Sequence, residues 1–424
     1  MTSLTLTNPA LNTAVPIDVA IIGSGPSGLA AATVLKAAGV GRVVVLEREQ
    51  QAGGIPLSCG HPAFGLREFR QLLSGPNYSA RLVTQAQKAG VEIHTQTTVA
   101  EILRGGVLTV ATSDGIFRIT PRRVIYATGV RETPRSARLI SGARVQGVLS
   151  TGALQSMIYL QQRRPFVRPL VVGSELVAFS ALMTCRHAGI RPVAMIEAEQ
   201  SATARWPCAL YPRMKGIKLH TSTQLVEIKG NKSVEEVVVA GPDGQTRSIE
   251  CDGVILTGKF TPESALARCG HLHVDPATGG PVVDQWGRCS DPVYFATGNL
   301  LRPVETAGRS WAEGQQTGQW VAQDLSGKLP KPAKSLNIVI QGKHLKYAMP
   351  QVICPNGDTE GMVDIQMRVT ERVSGTLVAH SKMGPIWKRS LNSRPERRIK
   401  VPISEIVSQA TDGTVNFEVE VPSK

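Results

Sequence analysis

The sequence lacks the features that would tie it to a metal, a membrane or a fibre. Its seven cysteines, Cys59, Cys185, Cys208, Cys251, Cys269, Cys289 and Cys354, form no CxxC pair and no tight cluster. That excludes a visible zinc site, an Fe–S ligand set and a dithiol redox centre. No apolar run approaches the roughly 20 residues of a membrane span, and residues 1–18 lack the basic end and apolar stretch of a secretion signal, so a cytoplasmic protein is expected. No repeat of solenoid length and no low-complexity tract is present. The net charge of +14 would suit an anionic partner. The Lys and Arg residues are nevertheless dispersed rather than gathered with aromatics, so nucleic acid is not the expected partner.

What remains is an ordinary globular composition, with 42% hydrophobic and 19% charged residues. A chain of 424 residues exceeds the roughly 250–300 at which single cores stop growing, so two or three domains are expected. Residues 17–130 read as strand, glycine turn, helix and strand, ending in a strand at 124–128. The theme returns at 168–256, with a strand at 169–173, a helical run through His187 and a strand at 192–197. A strand at 294–297 and a helix at about 306–325 follow. Gly, Pro and Lys cluster as a linker at 327–334. Beyond it, segments 336–341, 362–369, 376–381 and 416–421 alternate apolar with polar residues, the strand period of two.

The stretch Asp18-Val-Ala-Ile-Ile-Gly23-Ser-Gly25-Pro26-Ser27-Gly28 is a buried-strand pattern followed by a GxGxxG turn that opens an Ala-rich helix. Gly23 permits the tight turn, Gly25 lets backbone approach a pyrophosphate, and Gly28 lets helix and strand pack, so free N–H groups point at the anion. The next strand ends at Glu47-Arg48, where a carboxylate suits a ribose hydroxyl pair. Gly53-Gly54, the turn Ala127-Thr128-Gly129, and Tyr294-Phe-Ala-Thr-Gly298-Asn299 follow in order.

These ordered motifs, over residues 17–325, resemble the two-dinucleotide-binding flavoproteins that include glutathione reductase, thioredoxin reductase and NADH oxidases. The resemblance implies an α/β fold of two Rossmann-like domains, an FAD-binding domain at 17–150 with 257–326 and a second, NAD(P)-binding-like domain at 151–256; the alternation beyond the linker adds a C-terminal β-rich domain at 336–424. It implies FAD bound by Gly23, Gly25, Pro26, Ser27, Gly28, Glu47, Arg48, Gly54, Ala127, Thr128, Gly129, Gly298, Asn299, Thr306 and Ala307. In the family the residue at Asn299 holds the ribityl chain and the helix from about Thr306 points at the flavin. Asn299 stands where Asp is usual, and an amide still accepts from and donates to a hydroxyl.

The second glycine turn reads Val171-Val-Gly173-Ser-Glu175-Leu-Val-Ala178. Glu175 puts a charged side chain where a pyrophosphate should approach backbone, so NAD(P) use is doubtful, although Glu197 ends the next strand as Glu47 does. Disulfide reductases need two cysteines beside the flavin, and Cys59 stands alone. Cys59 suits stabilisation of a flavin adduct or a peroxide-derived sulfenate, or simple packing; in the same loop His61 suits a proton shuttle and Arg67 an anionic substrate, while both equally suit bracing of the glycine-rich loop. Cys59, His61 and Arg67 are the candidate catalytic residues.

Ala127-Thr-Gly-Val-Arg-Glu-Thr-Pro and Gly147-Val-Leu-Ser-Thr-Gly-Ala-Leu-Gln155 resemble the FAD subunits of heteromeric amine and opine dehydrogenases, among them hydrogen cyanide synthase, hydroxyproline dehydrogenase and the sarcosine oxidase α chain. This implies a catalytic partner like D-amino-acid oxidase and admits a small iron–sulfur subunit. Those subunits often end in a Cys-rich segment, whereas residues 336–424 contain only Cys354. The expected function is a flavin subunit carrying electrons from a partner that oxidises an amine, an imino acid or a small hydroxy compound such as glycerol 3-phosphate. A self-sufficient FAD oxidoreductase acting on NAD(P)H or a small substrate, and a non-catalytic FAD scaffold, are the alternatives. The basic stretch Lys388, Arg389, Arg394, Arg397, Arg398 and Lys400 is expected to be a solvated loop, with the charge to steer an acidic partner.

Overall fold

The computed structural model describes residues 15–204, 210–331, 334–355, 361–410 and 413–421. Cys208 lies outside them. The chain divides into two compact units. The first holds residues up to Gly54, Ser79–Val130 and everything from Pro262, and the second holds Ile55–Tyr78 and Arg131–Thr261. The loop of Cys59, His61 and Arg67 therefore belongs to the second unit, and the C-terminal β segment belongs to the first.

Each unit is built on one Rossmann-type core. Strand β1 (Val19–Ile22), helix α1 (Pro26–Ala37) and strand β2 (Val43–Leu46) open the first, and β3 (Pro169–Val172), α2 (Leu176–His187) and β4 (Ala194–Ile196) repeat them in the second. Every residue of β1 and β2 is buried, the continuous apolar run of a parallel strand covered on both faces. The first sheet runs Tyr294–Ala296, Arg123–Tyr126, β1, β2, Glu92–His94, all parallel. The second runs Val148–Ser150, Gly253–Leu256, β3, β4, Leu219–His220, also all parallel. The two orders correspond strand for strand, except that the outer strand comes from the end of one unit and the start of the other. Each unit also carries an antiparallel meander, Thr98–Ile102 with Leu108–Thr112 and Gly115–Ile119 in the first, and Gln224–Lys229 with Glu236–Ala240 and Thr246–Glu250 in the second.

Helix α3 (Ala307–Leu325) closes the first core, burying Ser310, Gly314, Thr317, Gly318 and Val321 along one stripe, the helical spacing of a face laid on a neighbour. That neighbour is α1. A Cβ on Gly314 would lie 2.1 Å from the Ser27 carbonyl oxygen, and one on Gly318 would lie 2.7 Å from that of Ala31. Both contacts advance by four residues, so the helices run in the same direction at backbone contact.

The C-terminal segment forms two sheets. One runs Val352–Ile353, Leu336–Ile340, Gly413–Glu420, Val373–Ser381, Gly384–Ser393, and the other is β5 (Leu345–Met349), β6 (Asp364–Val369) and β7 (Ile399–Pro402). Leu336, Ile338, Ile365, Met367, Leu377 and Phe417 fill the core they share, as period-two alternation requires. Of the stretch expected as a solvated basic loop, Lys388 and Arg389 lie in the hairpin strand Gly384–Ser393 and Lys400 in β7, while Arg394, Arg397 and Arg398 lie in the turn between them. Outward charges alternating with inward Leu391, Ile399 and Val401 masked the strand pattern. Among the described residues, no helix is long and apolar enough to cross a membrane.

Candidate functional site

The first glycine turn has the geometry its residues require. Gly23 has φ of +102°, and a Cβ there would meet the Ala127 carbonyl oxygen at 2.7 Å. A Cβ on Gly28 would lie 2.1 Å from the Gly23 carbonyl oxygen. Gly25 differs from both: a Cβ there would meet nothing within 4 Å, so open space stands in front of the turn. Gly25 is also the N-cap of α1 and makes no side-chain cap, with Pro26 next in line. The first amides of α1 therefore face that space without an internal partner. Gly54 lies against this turn, its missing Cβ 2.7 Å from the Gly25 Cα.

Glu47 is buried. It accepts from the Ser24 amide and hydroxyl at 3.0 and 2.5 Å and from the Glu49 amide at 3.0 Å. Ser24 in turn accepts from the Gly53 amide at 3.0 Å, which ties the turn, the acidic residue and the Gly-Gly bend into one unit. Arg48 points outward and reaches Glu49.

The segment 297–310 completes the cradle. Gly298 lies against Ser27, its missing Cβ 2.5 Å from the Ser27 hydroxyl oxygen. Thr306 caps α3 without a side-chain hydrogen bond, and Ala307 opens the helix. The Thr297 and Ser310 hydroxyls are buried with no hydrogen-bond partner, a cost of about 1–3 kcal/mol each unless a ligand supplies one. Asn299 is committed to its own loop: Nδ2 donates to the Glu305 carbonyl at 3.0 Å and Oδ1 accepts from the Glu305 amide at 2.7 Å. One N–H and one lone pair of that amide remain for a ligand hydroxyl. Thr128 donates to the Glu263 carbonyl at 2.7 Å, and the Glu263 amide bonds Gly129 at 2.9 Å, fixing the Ala127-Thr-Gly turn. An open turn, two uncapped parallel helix ends and two orphaned hydroxyls fit the diphosphate and sugar alcohols of FAD.

The second turn repeats this framework and then blocks it. Ser174 donates to Glu197, the Glu199 amide donates to Glu197 at 3.1 Å, and the Thr203 amide donates to Ser174 at 2.9 Å. Each bond has its counterpart at Ser24, Glu47, Glu49 and Gly53. Where Gly25 leaves space, however, Glu175 folds its side chain over the turn. A Cβ on Gly258 would lie 1.5 Å from Glu175 Oε1, and one on Gly173 2.5 Å from Oε2. Burial above all, with the Glu197 charge adding to it, pushes the Glu175 carboxyl up, while Thr257 and Arg138 pull it down.

The three candidate catalytic residues sit in the second unit. Cys59 is buried, its thiol against Gln155 Oε1 at 3.5 Å and the Ile55 carbonyl at 3.6 Å. Burial, then the Glu132 charge, push that thiol up to about 12, so it stays protonated near neutrality. It forms no disulfide. Gln155 Nε2 donates to Ser180 at 2.7 Å, and Ser180 bonds His61 Nε2. Burial lowers the His61 pKa, which keeps the ring neutral, and Nδ1 is buried without a partner. Arg67 is exposed on the short helix Leu66–Phe69. Sequence reasoning quoted Glu132 and Gln155 within family-like motifs without naming them as site residues, and missed Ser180; burial pushes the Glu132 carboxyl up, and its Oε2 accepts from the Gly152 amide at 2.7 Å. Nothing in their local sequence marks polar residues that meet only across the fold.

Residues 17–318 match the model of the pyridine nucleotide-disulphide oxidoreductase family. The chain belongs to this family. Like its relatives, it is an FAD-dependent oxidoreductase. It is 26% identical to the benzene 1,2-dioxygenase system ferredoxin–NAD(+) reductase subunit of Pseudomonas putida, over 85% of each chain. It is 26% identical to an opine oxidase subunit of Rhizobium meliloti (strain 1021), over 48% of this chain and 45% of that one. With the sarcosine oxidase alpha subunit of the same strain it shares 24% identity, over 82% of this chain. The chain thus spans less than half the length of these last two relatives, 45% and 34%. Among solved structures, thioredoxin reductase of T. acidophilum superposes with a TM-score of 0.62 at 21% identity, covering 73% of this chain and 98% of that one. This likeness is one of fold.

Proposed function

We propose that the chain is the flavin-bearing, electron-transferring subunit of a heteromeric dehydrogenase whose partner oxidises an amine, an imino acid or a small hydroxy compound such as glycerol 3-phosphate. The observation that carries this reading is the Glu175 side chain lying over Gly173 and Gly258, where the first turn is open at Gly25. A carboxylate there meets a dinucleotide diphosphate with both bulk and like charge. With the nicotinamide route obstructed and a lone thiol held protonated, electrons are supplied by another chain. Two relatives named as oxidase subunits, of opine and of sarcosine oxidase, support the multi-component reading.

In this reading Gly23, Gly25, Pro26, Ser27 and Gly28 present the α1 amides to the FAD diphosphate, Glu47 takes the adenosine ribose, and Gly54 bends the chain beside it. Ala127, Thr128 and Gly129 close the far wall. Gly298, Asn299, Thr306 and Ala307 meet the ribityl chain and ring. FAD supplies a centre that accepts two electrons and returns them one or two at a time. His61, neutral and bonded through Ser180 to Gln155, is the best placed of the candidate residues to hold a proton. Cys59 packs, and Arg67 faces solvent.

The retained Ser174–Glu197 pair and the ferredoxin–NAD(+) reductase relative favour the second reading, an NAD(P)H-dependent reductase. Anaerobic mixing with NADH and NADPH separates the two. The subunit reading expects the chain alone to hold FAD and oxidise none of these substrates, and co-expression with an adjacent amino-acid-oxidase-like gene to give dye-linked dehydrogenase activity. Turnover of such a substrate by the isolated chain rejects it.

A further inference from the structure

The first unit buries more positive than negative charge at the start of α3. Glu305, directly before the N-cap, is 6% exposed. It accepts from Arg368 Nη2 at 2.9 Å and pairs with Arg398 Nη2 at 2.5 Å and Arg309 Nε at 3.7 Å. Arg368 also donates to the Val304 carbonyl at 3.0 Å. Arg302 is fully buried, bonded to Glu313 at 3.1 Å and to Gln366 at 3.0 Å. Arg368 extends from β6, and Arg398 from the residue before β7. Three buried guanidiniums, Arg302, Arg368 and Arg398, stand against the carboxylates of Glu305 and Glu313, a net of +1, with the exposed Arg309 at the rim, beside the positive end of a 19-residue helix. The Nε atoms of Arg302 and Arg368 are buried with no hydrogen-bond partner. Although burial alone would lift it, the Glu305 carboxyl is held below the usual range by Arg398, Arg302 and Arg368, so the pairing itself is ionic. Uncompensated buried cations are costly unless an anion completes the set.

The helix register relates the start of α3 to that of α1. Gly314 of α3 is opposite Ser27 of α1. Helix α3 starts at Ala307, seven residues before Gly314, whereas α1 starts at Pro26, one residue before Ser27. The overhang of six residues carries the start of α3 about 9 Å beyond the start of α1. A ligand with its diphosphate on α1 would extend its next groups toward that overhang.

We propose that Arg368 and Arg398, reaching from the C-terminal sheet to Glu305, are positioning residues that fix the start of α3 and, by their charge, raise the reduction potential of the bound flavin. This rests on the FAD reading above. The C-terminal sheet is then a built-in electrostatic brace for the cofactor site, and its loss would be felt at the flavin before it was felt at a partner.

The test uses the purified holoprotein with FAD content, midpoint potential against a reference dye, and affinity for sulfite, which adds to flavin as an anion. Arg368→Gln and Arg398→Gln are expected to keep FAD, lower the potential and weaken sulfite binding about tenfold. Glu305→Gln should shift both the opposite way, and Arg398→Lys should stay near wild type. If a Gln variant loses FAD, Arg309→Gln, at a side chain 46% exposed, should still lower the potential by a smaller step. Variants with full FAD and unchanged potential and sulfite affinity overturn the proposal. A wild-type chain that takes up no FAD overturns the functional reading beneath it.

Discussion

The glycine turns at 23–28 and 173–178 are one framework with opposite outcomes. In both, a serine after the first glycine bonds a buried glutamate at the end of the next strand, and that glutamate also accepts from the amide two residues on. In both, the first glycine has positive φ, +102° and +115°. The turns part at one position. Gly25 faces open space, and Glu175 fills its own. In the proposed reading this closes a dinucleotide turn without disturbing the fold, because the Glu175 side chain lies over Gly173 and Gly258 while the backbone framework is kept.

The largest expected effect comes from copying the closed turn into the open one. Gly25→Glu should lower FAD affinity at least a hundredfold, roughly 3 kcal/mol, with the secondary structure intact, since no protein atom stands where the new Cβ goes. Flavin absorbance and circular dichroism on the same sample check both halves. A yellow Gly25→Glu protein would show that the space in front of Gly25 is not where the diphosphate binds.

The converse change is next. Glu175→Gly should open the second turn and permit NADH or NADPH binding, seen as a dissociation constant at least tenfold lower than wild type by fluorescence titration. If Glu175→Gly binds no better than wild type, the carboxylate is not what closes the module.

The two turns were legible in sequence because each lies within about thirty residues of contiguous chain. The strand at 169–173, the helix through His187 and the helix at about 306–325 are found as β3, α2 and α3, and the alternating C-terminal segments are strands. The segment Ile55–Tyr78 was not legible. Its place is set by contacts made far along the chain, such as Cys59 on Gln155 and His61 on Ser180, which local pattern does not encode. The charge clamp on Glu305 escaped for the same reason. Arg398 read as one of a run of surface cations, yet its neighbours on the strands face solvent while it turns inward.

Glu47→Gln removes charge from the carboxylate proposed to hold the adenosine ribose and should weaken FAD by about 1–2 kcal/mol, whereas the equivalent Glu197→Gln should leave FAD content unchanged. Equal losses in the two variants would mean that the second module also supports the flavin.

Smallest is a stability effect at Glu175. Its folded pKa is raised by burial, so wild type loses stability as pH rises from the ordinary glutamate range, about 4.3, through the raised value. Glutamine does not titrate. The Tm of Glu175→Gln should therefore exceed that of wild type by more at pH 8 than at pH 5. A difference that shrinks with rising pH would contradict the burial of that charge.

Anaerobic stopped-flow mixing of the as-purified chain with NADH and with NADPH decides whether an open FAD turn is paired with a closed nicotinamide turn. The expected result is one bound FAD per chain whose absorbance near 450 nm stays unbleached over many seconds at micromolar nucleotide, a time and concentration on the order of those at which flavin reductases turn over many times. Bleaching within milliseconds would contradict it and make the chain an NAD(P)H reductase.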